Sequence, residues 1–417
     1  MKTEWDVIVI GAGLAGLSAG ATAAAGGADT VVLDTHPAGG RARTVAKGPY
    51  VFNMGAHALY LGGPGTKVLR SLGIEPDGAP SPFPRYKLLK DGGLHLMPSG
   101  PASIMRTKAM GAAAKAQFAR LMGLLPAIRA HKLGGVTVDD WIADHNLRPD
   151  AEAVVRALIR LSTYTADTTE ASADAVIRQL QIGARPGVVY LHGGWAQLIE
   201  GLARKVQVRT GYQATAVEPG ARDVTVHTKD GVLHARRVVL APGSPTATRA
   251  LLPEDPGWSD LGRPVTAACL DLGVTRVPDP GYALSADEPL LAVTMSPPAR
   301  QAPPGRAVVA ALRYGATEAD ADRLSLDGHV ARIGVRASDI EASRFLARMV
   351  VAASTPRASE GGLAGRPRVT DSGQANVYIA GDWVGPEGLL ADASIASGHE
   401  AARQAVANLE RAPALVA

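Results

Sequence analysis

Three glycines near the start of the chain have a spacing that suits close contact with a phosphate group. Gly11, Gly13 and Gly16 form a G-x-G-x-x-G pattern directly after the β-branched run V-I-V-I at 7–10. The first glycine of such a pattern permits a tight turn, the second lets the backbone approach a diphosphate, and the third lets a helix pack closely on a strand. The free N–H groups at the positive end of that helix bind the diphosphate. The pattern therefore predicts a dinucleotide-binding turn between a strand and a helix.

A carboxylate follows at the position where a dinucleotide would present its ribose. Asp34 ends the next β-branched run, T-V-V-L-D at 30–34. At this spacing a carboxylate accepts hydrogen bonds from ribose hydroxyls. Because an acidic side chain repels a 2′-phosphate, the sequence favours the adenosine of FAD or NAD over that of NADP.

A second glycine-rich segment, G-G-R-A-R-T at 39–44, follows soon after Asp34. Its adjacent glycines allow close backbone approach, and Arg41 offers a fork of donors to a diphosphate. The segment G-P-Y-V-F-N-M-G-A-H comes next, at 48–57. Here the sequence resembles the flavin amine oxidase and phytoene desaturase superfamily, in which the later segment runs beside the flavin ring. An NAD dehydrogenase has no need of these segments, so the cofactor is expected to be FAD.

Three further segments match the same superfamily. The strand V-V-L-A-P-G at 238–243 resembles the place where the chain leaves the FAD domain, and G-G-W-A-Q-L at 193–198 the place where it returns. The closing flavin motif is matched by A-G-D-W at 380–383 and G-L-L-A-D-A-S-I-A-S-G at 388–398. The resemblance therefore covers nearly the whole chain.

The resemblance implies which residues contact FAD. Gly381 and Asp382 would meet the diphosphate and ribityl chain, while the backbone of Ala214 would meet the adenine. The N–H of Ala391 would meet the flavin C2 carbonyl, and the positive end of the last helix would favour an anionic reduced flavin. Asp34 stands where the family usually has glutamate. With the glycine motifs, the predicted cofactor-binding residues are Gly11, Gly13, Ala15, Gly16, Asp34, Gly39, Gly40, Arg41, Gly55, Ala56, Ala214, Gly243, Gly381, Asp382 and Ala391.

Three side chains are candidates for a catalytic role. His57 would lie next to the flavin ring, where it either steers substrate or takes a proton near neutral pH, or else serves only in packing. Tyr60 follows in the same segment, and Trp383 is the only ring near the closing motif. Tyr164 and Asp167 either line a substrate pocket or cap a helix end.

The shortage of aromatic residues bears on the substrate. Many amine oxidases flank the flavin with two aromatic rings, but the stretch at 388–394 has none, and the whole chain has four Phe. We therefore expect hydride transfer from a substrate C–H bond to flavin N5 in a desaturase or dehydrogenase of an apolar small molecule. A flavin amine oxidase is the first alternative, and a redox-neutral FAD-dependent isomerase is an alternative from another class. The electron acceptor is left open among oxygen, a quinone and a second protein.

Cysteine and histidine usage argues against metal chemistry. Cys269 is the only cysteine, which excludes an internal disulfide framework and cysteine-based metal sites. No H-x-x-H or H-E-x-x-H pair occurs, so we expect no metal. Because Cys269 lies outside the flavin motifs, FAD is expected to bind non-covalently.

The elements around these motifs predict the fold. A strand over 5–10, a helix over 14–26 and a strand over 29–34 form a βαβ unit, and 417 residues suffice for two to three domains. We expect an α/β fold, with an FAD-binding Rossmann-like domain of the glutathione-reductase type and an inserted α+β substrate domain. The FAD-binding segments are 1–75, 187–245 and 366–417, and the substrate segments are 76–186 and 246–365.

A basic stretch lies in the predicted substrate domain. No acidic residue occurs over 92–138, although the net charge of the whole chain is +4, too mild to imply nucleic acid. The cations are Arg106, Lys108, Lys115, Arg120, Arg129 and Lys132. The predicted helical segment 101–133 has three interpretations: a solvated face, an amphipathic helix that contacts a membrane, and a surface for an anionic substrate or partner. We expect a cytoplasmic protein, with peripheral contact at the inner face of the membrane under the second interpretation.

Overall fold

The computed structural model describes residues 2–258, 261 and 263–410. Positions 411–417 of the predicted FAD-binding segment and 259, 260 and 262 of the predicted substrate segment lie outside the described residues. The strands are β1 (Glu4–Ile10), β2 (Thr30–Asp34), β3 (Thr44–Lys47), β4 (Tyr50–Asn53), β5 (Leu59–Tyr60), β6 (Gly78–Pro80), β7 (Lys87–Lys90), β8 (Gly93–Leu96), β9 (Val188–Leu191), β10 (Gln207–Thr210), β11 (Ala214–Pro219), β12 (Val224–Thr228), β13 (Gly231–Leu240), β14 (Val265–Val274), β15 (Tyr282–Ser285), β16 (Leu290–Thr294), β17 (Ala307–Tyr314), β18 (Ile340–Ala352) and β19 (Val377–Ile379). The helices are α1 (Leu14–Ala25), α2 (Pro64–Ser71), α3 (Pro101–Arg106), α4 (Ala112–Leu124), α5 (Val138–Asp144), α6 (Pro149–Thr163), α7 (Ala173–Ala184), α8 (Ala196–Ala203), α9 (Pro245–Arg249), α10 (Ala319–Arg332) and α11 (Leu390–Glu410).

The first sheet brings together strands from the start, middle and end of the chain. Its order is β10-β2-β1-β13-β12-β11, with β19 beside β13. The pairings of β1 with β2 and with β13 are parallel, whereas β11, β12 and the first half of β13 form an antiparallel meander. Val7, Ile8 and Val9 are fully buried, as expected for a parallel strand covered on both faces. The predicted α/β fold class is confirmed.

Glycines let two helices approach the start of this sheet closely. A Cβ at Gly16 on α1 would lie 1.7 Å from the carbonyl oxygen of Gly11, and a Cβ at Gly398 on α11 would lie 2.1 Å from that of Ala15. The Ser18 hydroxyl also donates to the Ile395 carbonyl oxygen at 2.9 Å. These contacts hold the first half of α11 against α1, the helix that follows the glycine turn after β1.

The second sheet is mainly antiparallel and forms the floor of the other half of the molecule. Its order is β18-β14-β17-β16-β15-β7-β8. The long strand β14 is largely buried, with α10 packed against one face of the sheet and apolar residues of α3 to α7 clustered on the other side. The edge strand β18 was not predicted, because it lies in a Pro-rich part of the sequence and its residues alternate irregularly between exposed and buried.

The predicted helical segment 101–133 is helical in two separate pieces. The structure has two helices there, α3 and α4, separated by residues 107–111, because Gly111 adopts an extended conformation as the N-cap of α4. Pro126 then lies in a short 3-10 turn that ends the helical path. Among the helices of the described residues, none combines the length and apolar composition needed to cross a membrane.

Candidate active site

One cavity of about 920 Å³ lies where the two sheets meet, and it has two chemically different parts. The first part, which we call the glycine cradle, is lined by Gly11, Gly13, Asp34, Gly40, Arg41 and Asp382. The second part, which we call the tyrosine chamber, is lined by Tyr60, Tyr86, Leu161, Tyr164, Tyr190 and Leu291. The cradle comes from the first sheet and its loops, whereas the chamber comes mainly from the second half of the fold.

The glycine turn after β1 has the geometry that a diphosphate requires. Gly11 has φ +105°, and a Cβ there would lie 2.2 Å from the carbonyl oxygen of Ala241, so only glycine fits. Gly13 is the N-cap of α1, and a Cβ there would meet no atom within 4 Å. Since Gly13 lines the cavity, the space beside it and the positive end of α1 are open to a phosphate group. The cradle therefore fits the diphosphate of FAD.

Asp34 links the end of β2 to this turn. Its Oδ2 accepts a hydrogen bond from the N–H of Ala12 at 2.6 Å, and its Oδ1 accepts one from the N–H of His36 at 2.8 Å. Each carboxylate oxygen has a further lone pair for a ribose hydroxyl. The same side chain thus holds the loop and faces the cavity.

Arg41 and Asp382 form the strongest ion pair of the cradle. The two terminal nitrogens of Arg41 each lie 2.8 Å from an oxygen of Asp382, whose side chain is 1% exposed. Burial alone would lower the pKa of Arg41, but Asp382 outweighs it and raises this pKa. Asp382 also accepts from the N–H of Ala353 at 2.9 Å.

A buried arginine fixes the backbone between Asp382 and α11. Arg366 donates to the carbonyl oxygens of Asp382 at 2.9 Å and Gly388 at 2.6 Å. Burial lowers the pKa of Arg366 to about 10, so the side chain is still charged at neutral pH. It holds the closing loop that brings Ala391 to the cavity wall.

His57 lines the cavity as a neutral imidazole. Its Nδ1 lies 2.9 Å from the carbonyl oxygen of Gly55, which makes Nδ1 the protonated nitrogen, and its ring meets the Trp195 ring edge-on at 5.1 Å. Burial lowers the pKa of His57. This position favours steering or packing over the expected uptake of a proton near neutral pH. The Trp195 Nε1 also lines this region and has no hydrogen-bond partner among the described residues.

The tyrosine hydroxyl groups of the chamber form hydrogen bonds with other groups of the protein. The Tyr60 hydroxyl donates to the Ser162 carbonyl oxygen at 3.0 Å, and the Tyr164 hydroxyl donates to the carbonyl oxygen of Ala56. The hydroxyls of Tyr86 and Tyr190 bond to each other. Burial raises the pKa of Tyr60 to about 12, so its phenol is neutral. The result is a wall of uncharged aromatic rings.

This chamber corrects the argument from aromatic composition. Four of the nine tyrosines of the chain line one cavity, although aromatic residues are scarce overall. The premise that an aromatic wall is hard to assemble was wrong, because the fold gathers rings from distant segments. Tyr164 belongs to the wall, whereas Asp167 does not line the cavity and caps the N–H of Thr169 at 3.0 Å.

Most of the predicted cofactor contacts line the cavity. These are Gly11, Gly13, Ala15, Asp34, Gly39, Gly40, Arg41, Ala56, Gly243, Gly381, Asp382 and Ala391. Gly16 does not, because it serves the packing of α1 on the turn. Gly55 turns the chain with φ +93°, and Ala214 on β11 pairs with Thr228 on β12; neither lines the cavity.

Trp383 requires a correction among the catalytic candidates, whereas His57 and Tyr60 both line the cavity. The Trp383 side chain is 1% exposed and packs edge-on against Trp258, with ring centroids 5.1 Å apart. It lies in the core of the first sheet and not on the cavity wall. A ring in this position supports the loop at Gly381 and cannot touch a substrate.

Four lining residues were missed as site residues. Tyr86 and Tyr190 lie in segments without a chemical motif, and only the tertiary fold brings them to the cavity. Trp195 stands inside the G-G-W-A-Q-L segment at 193–198, and that motif was the available signal. Asp392 stands inside the closing flavin motif, one residue after Ala391, and an acidic residue in an otherwise apolar stretch was the available signal. Cys269 is fully buried and does not line the cavity, and non-covalent binding of FAD stays a prediction.

The parallel strands of the first sheet end at the glycine cradle, and an aromatic chamber under the second sheet adjoins it. This is the arrangement of a dinucleotide-binding protein of two parts. Residues 14–277, more than half of the chain, match the family of flavin containing amine oxidoreductases. The chain belongs to this family. Its cofactor is FAD, and the protein is an FAD-dependent oxidoreductase, as the motifs predicted. No curated protein sequence matches the chain.

Several solved structures share the fold of this chain. An oxidoreductase from Methanosarcina mazei has a TM-score of 0.73 at 18% identity, covering 95% of this chain and 99% of that one. Cyclohexylamine oxidase from Brevibacterium oxydans IH-35A has a TM-score of 0.69 at 18% identity, covering 98% and 100%. Wild-type putrescine oxidase bound to putrescine has a TM-score of 0.72 at 15% identity, with the same coverage. At these identities the likeness shows the fold alone.

Proposed function

We propose that the protein is a desaturase or dehydrogenase that oxidises an uncharged, apolar small molecule. The observation that carries the proposal is the chemistry of the tyrosine chamber. Its phenol groups are neutral and hydrogen-bonded within the protein, and Leu161, Leu291 and Val293 complete the wall. A charged substrate placed there would lose its hydration without gaining a partner of opposite charge among these residues.

Different residues of the cavity bind the cofactor and the substrate. Asp34 orients the ribose, and the turn at Gly13 with the start of α1 binds the diphosphate. When bound, FAD supplies the acceptor for a hydride from the substrate. The tyrosine chamber holds the substrate against the ring and excludes water, which places the reacting C–H bond near its acceptor.

A second candidate function is amine oxidation. It is favoured by the aromatic wall of the chamber and by two structures of similar fold, whose names describe oxidation of cyclohexylamine and putrescine. An amine bound as a cation would need a carboxylate near the rings. Asp392 is a carboxyl group on the cavity wall, and its charge affects the pKa of Tyr60 in the chamber.

Anaerobic mixing of the holoenzyme with two substrate panels tests the proposal. Uncharged apolar molecules that lose hydrogen are expected to bleach the visible band of oxidised flavin, and primary amines are not. Bleaching by amines alone would replace the proposal with the second candidate. Product formed without any spectral change would indicate a redox-neutral isomerase. Adding oxygen or a quinone to the bleached enzyme then identifies the electron acceptor.

A variant that carries a charge in the chamber tests whether the substrate binds there. Leu161→Lys is expected to abolish bleaching by an apolar substrate, because Leu161 lines the chamber. Leu124→Lys is the control, since that leucine is 51% exposed on α4 and does not line the cavity. Equal activity of both variants would show that the substrate does not occupy the chamber.

A further inference from the structure

Asp392 is an ionisable group on the cavity wall that the proposed function does not use. It lies in the first turn of α11, directly after Ala391, and is 3% exposed. Both residues line the cavity. Its position, burial and hydrogen bonds together suggest a role beyond holding the helix.

Three glycines make room for the Asp392 side chain. A Cβ at Gly63 would lie 2.1 Å from its Oδ2, and a Cβ at Gly65 would lie 2.7 Å from its Oδ1. A Cβ at Gly388 would lie 2.8 Å from the Asp392 Cβ. We call this space the glycine niche. Any larger residue at Gly63, Gly65 or Gly388 would displace the carboxyl group.

The two carboxyl oxygens of Asp392 have different surroundings. Oδ1 accepts a hydrogen bond from the N–H of Gly65, in the first turn of α2, at 2.9 Å. Oδ2 is buried and has no hydrogen-bond partner among the described residues. A buried carboxylate oxygen without a partner is costly, and a proton on the group reduces that cost.

The charges around the niche oppose one another. The first turns of α2 and α11 both favour a negative charge, since the N-terminal end of a helix is positive. Burial disfavours the charge and raises the pKa of Asp392 to about 7. Burial raises the pKa of Tyr60, and the negative charge of Asp392 raises it further. The Arg366 guanidinium donates to the Gly388 carbonyl oxygen at the edge of the niche. The group is therefore able to gain or lose a proton near neutral pH.

We propose that Asp392 is a positioning residue that couples reduction of the flavin to uptake of one proton by the protein. Hydride from a donor brings two electrons and one proton to FAD, and leaves one additional negative charge in the cavity. Asp392, ionised beforehand, takes up one proton from the buffered solvent, whose buffer acid gives it up, and so removes one negative charge from the same region. The inference depends on the FAD cofactor and not on the identity of the substrate.

The reduction potential of bound FAD, measured against dyes over about pH 5 to 9, tests the proposal in the holoenzyme. In wild type the potential is expected to fall more steeply with pH around neutrality than in Asp392→Asn. At high pH the variant is expected to have the more positive potential, because it lacks the negative charge, and at low pH the two should coincide. Parallel curves at all pH values would overturn the proposal.

Glu400→Gln is the matched control on the same helix. Glu400 pairs with Arg403 at the surface of α11, so the reduction potential of FAD in Glu400→Gln should follow the wild-type pH dependence. A purely structural role for Asp392, as the acceptor for the α2 N–H, would leave the pH dependence of the potential the same in Asp392→Asn as in wild type, since the amide oxygen of asparagine accepts the same bond. That outcome would also contradict the proposal.

A second measurement does not depend on a folded variant. Reduced-minus-oxidised infrared difference spectra of wild-type holoenzyme, reduced chemically near neutral pH, should show a protonated carboxyl band that appears on reduction. The absence of such a band would overturn the proposal. Because the reductant is chemical, this result is independent of whether the enzyme acts on an apolar substrate.

Discussion

Replacing Arg41 by alanine should lower the free energy of unfolding by more than the removal of an exposed ion pair does. Arg41 places one nitrogen 2.8 Å from each oxygen of Asp382, and the Asp382 side chain is 1% exposed. Removing one partner of a buried pair costs about 3–5 kcal/mol, because the other charge stays buried. The Arg41 side chain is 37% exposed, so water can enter the vacated space. With the Ala353 N–H still bound to Asp382, we expect a loss of about 2–3 kcal/mol.

Urea unfolding of the apoprotein at neutral pH measures this loss. Arg368→Ala is the matched control, because Arg368 forms an ion pair with Asp371 while its own side chain is 80% exposed. Such an exposed pair contributes about 0–1 kcal/mol. Arg41→Lys should recover part of the loss, since a lysine supplies the charge without the two-nitrogen fork. If Arg41→Ala were no less stable than Arg368→Ala, the cradle would not depend on this pair.

Three further predictions concern the turn, the niche and the histidine. Gly13→Ala should leave thermal unfolding unchanged and weaken FAD binding in a titration, whereas Gly11→Ala should lower stability, because its Cβ would lie 2.2 Å from the Ala241 carbonyl oxygen. The raised pKa of Asp392, about 7, means that the folded protein binds the extra proton. The contribution of Asp392 to the free energy of unfolding should therefore decrease as the pH rises from about 4 to 7, by at most about 4 kcal/mol, and this decrease should be absent in Asp392→Asn. His57→Asn should leave the pH profile of turnover between about pH 6 and 8 unaltered, since burial keeps this histidine neutral, and an altered profile would contradict that.

The glycine cradle could be predicted because its requirements are local in the sequence. The positive φ at Gly11, the open N-cap at Gly13 and the carboxylate at Asp34 all belong to one strand, the turn and helix after it, and the next strand. Backbone geometry at such a turn leaves few choices of residue type. The spacing of these residues alone therefore indicated both the elements and their ligand.

The tyrosine chamber could not be predicted because its residues share no local pattern. Tyr60, Tyr86, Tyr164 and Tyr190 come from four separate segments, and only the packing of the second half of the fold on the first brings them together. Composition counts aromatic residues without their positions, so it gave the opposite expectation. Trp383 failed for the same reason, since proximity to a flavin motif in sequence did not place its ring on the cavity wall.

The position of FAD in a crystal structure of the loaded protein tests the central claim most directly. We expect the ribose beside Asp34, the diphosphate at the turn around Gly13, and the flavin ring between Ala391 and the tyrosine chamber. Density for the ring outside the cavity, or an orientation that places the adenine at the tyrosines, would contradict it.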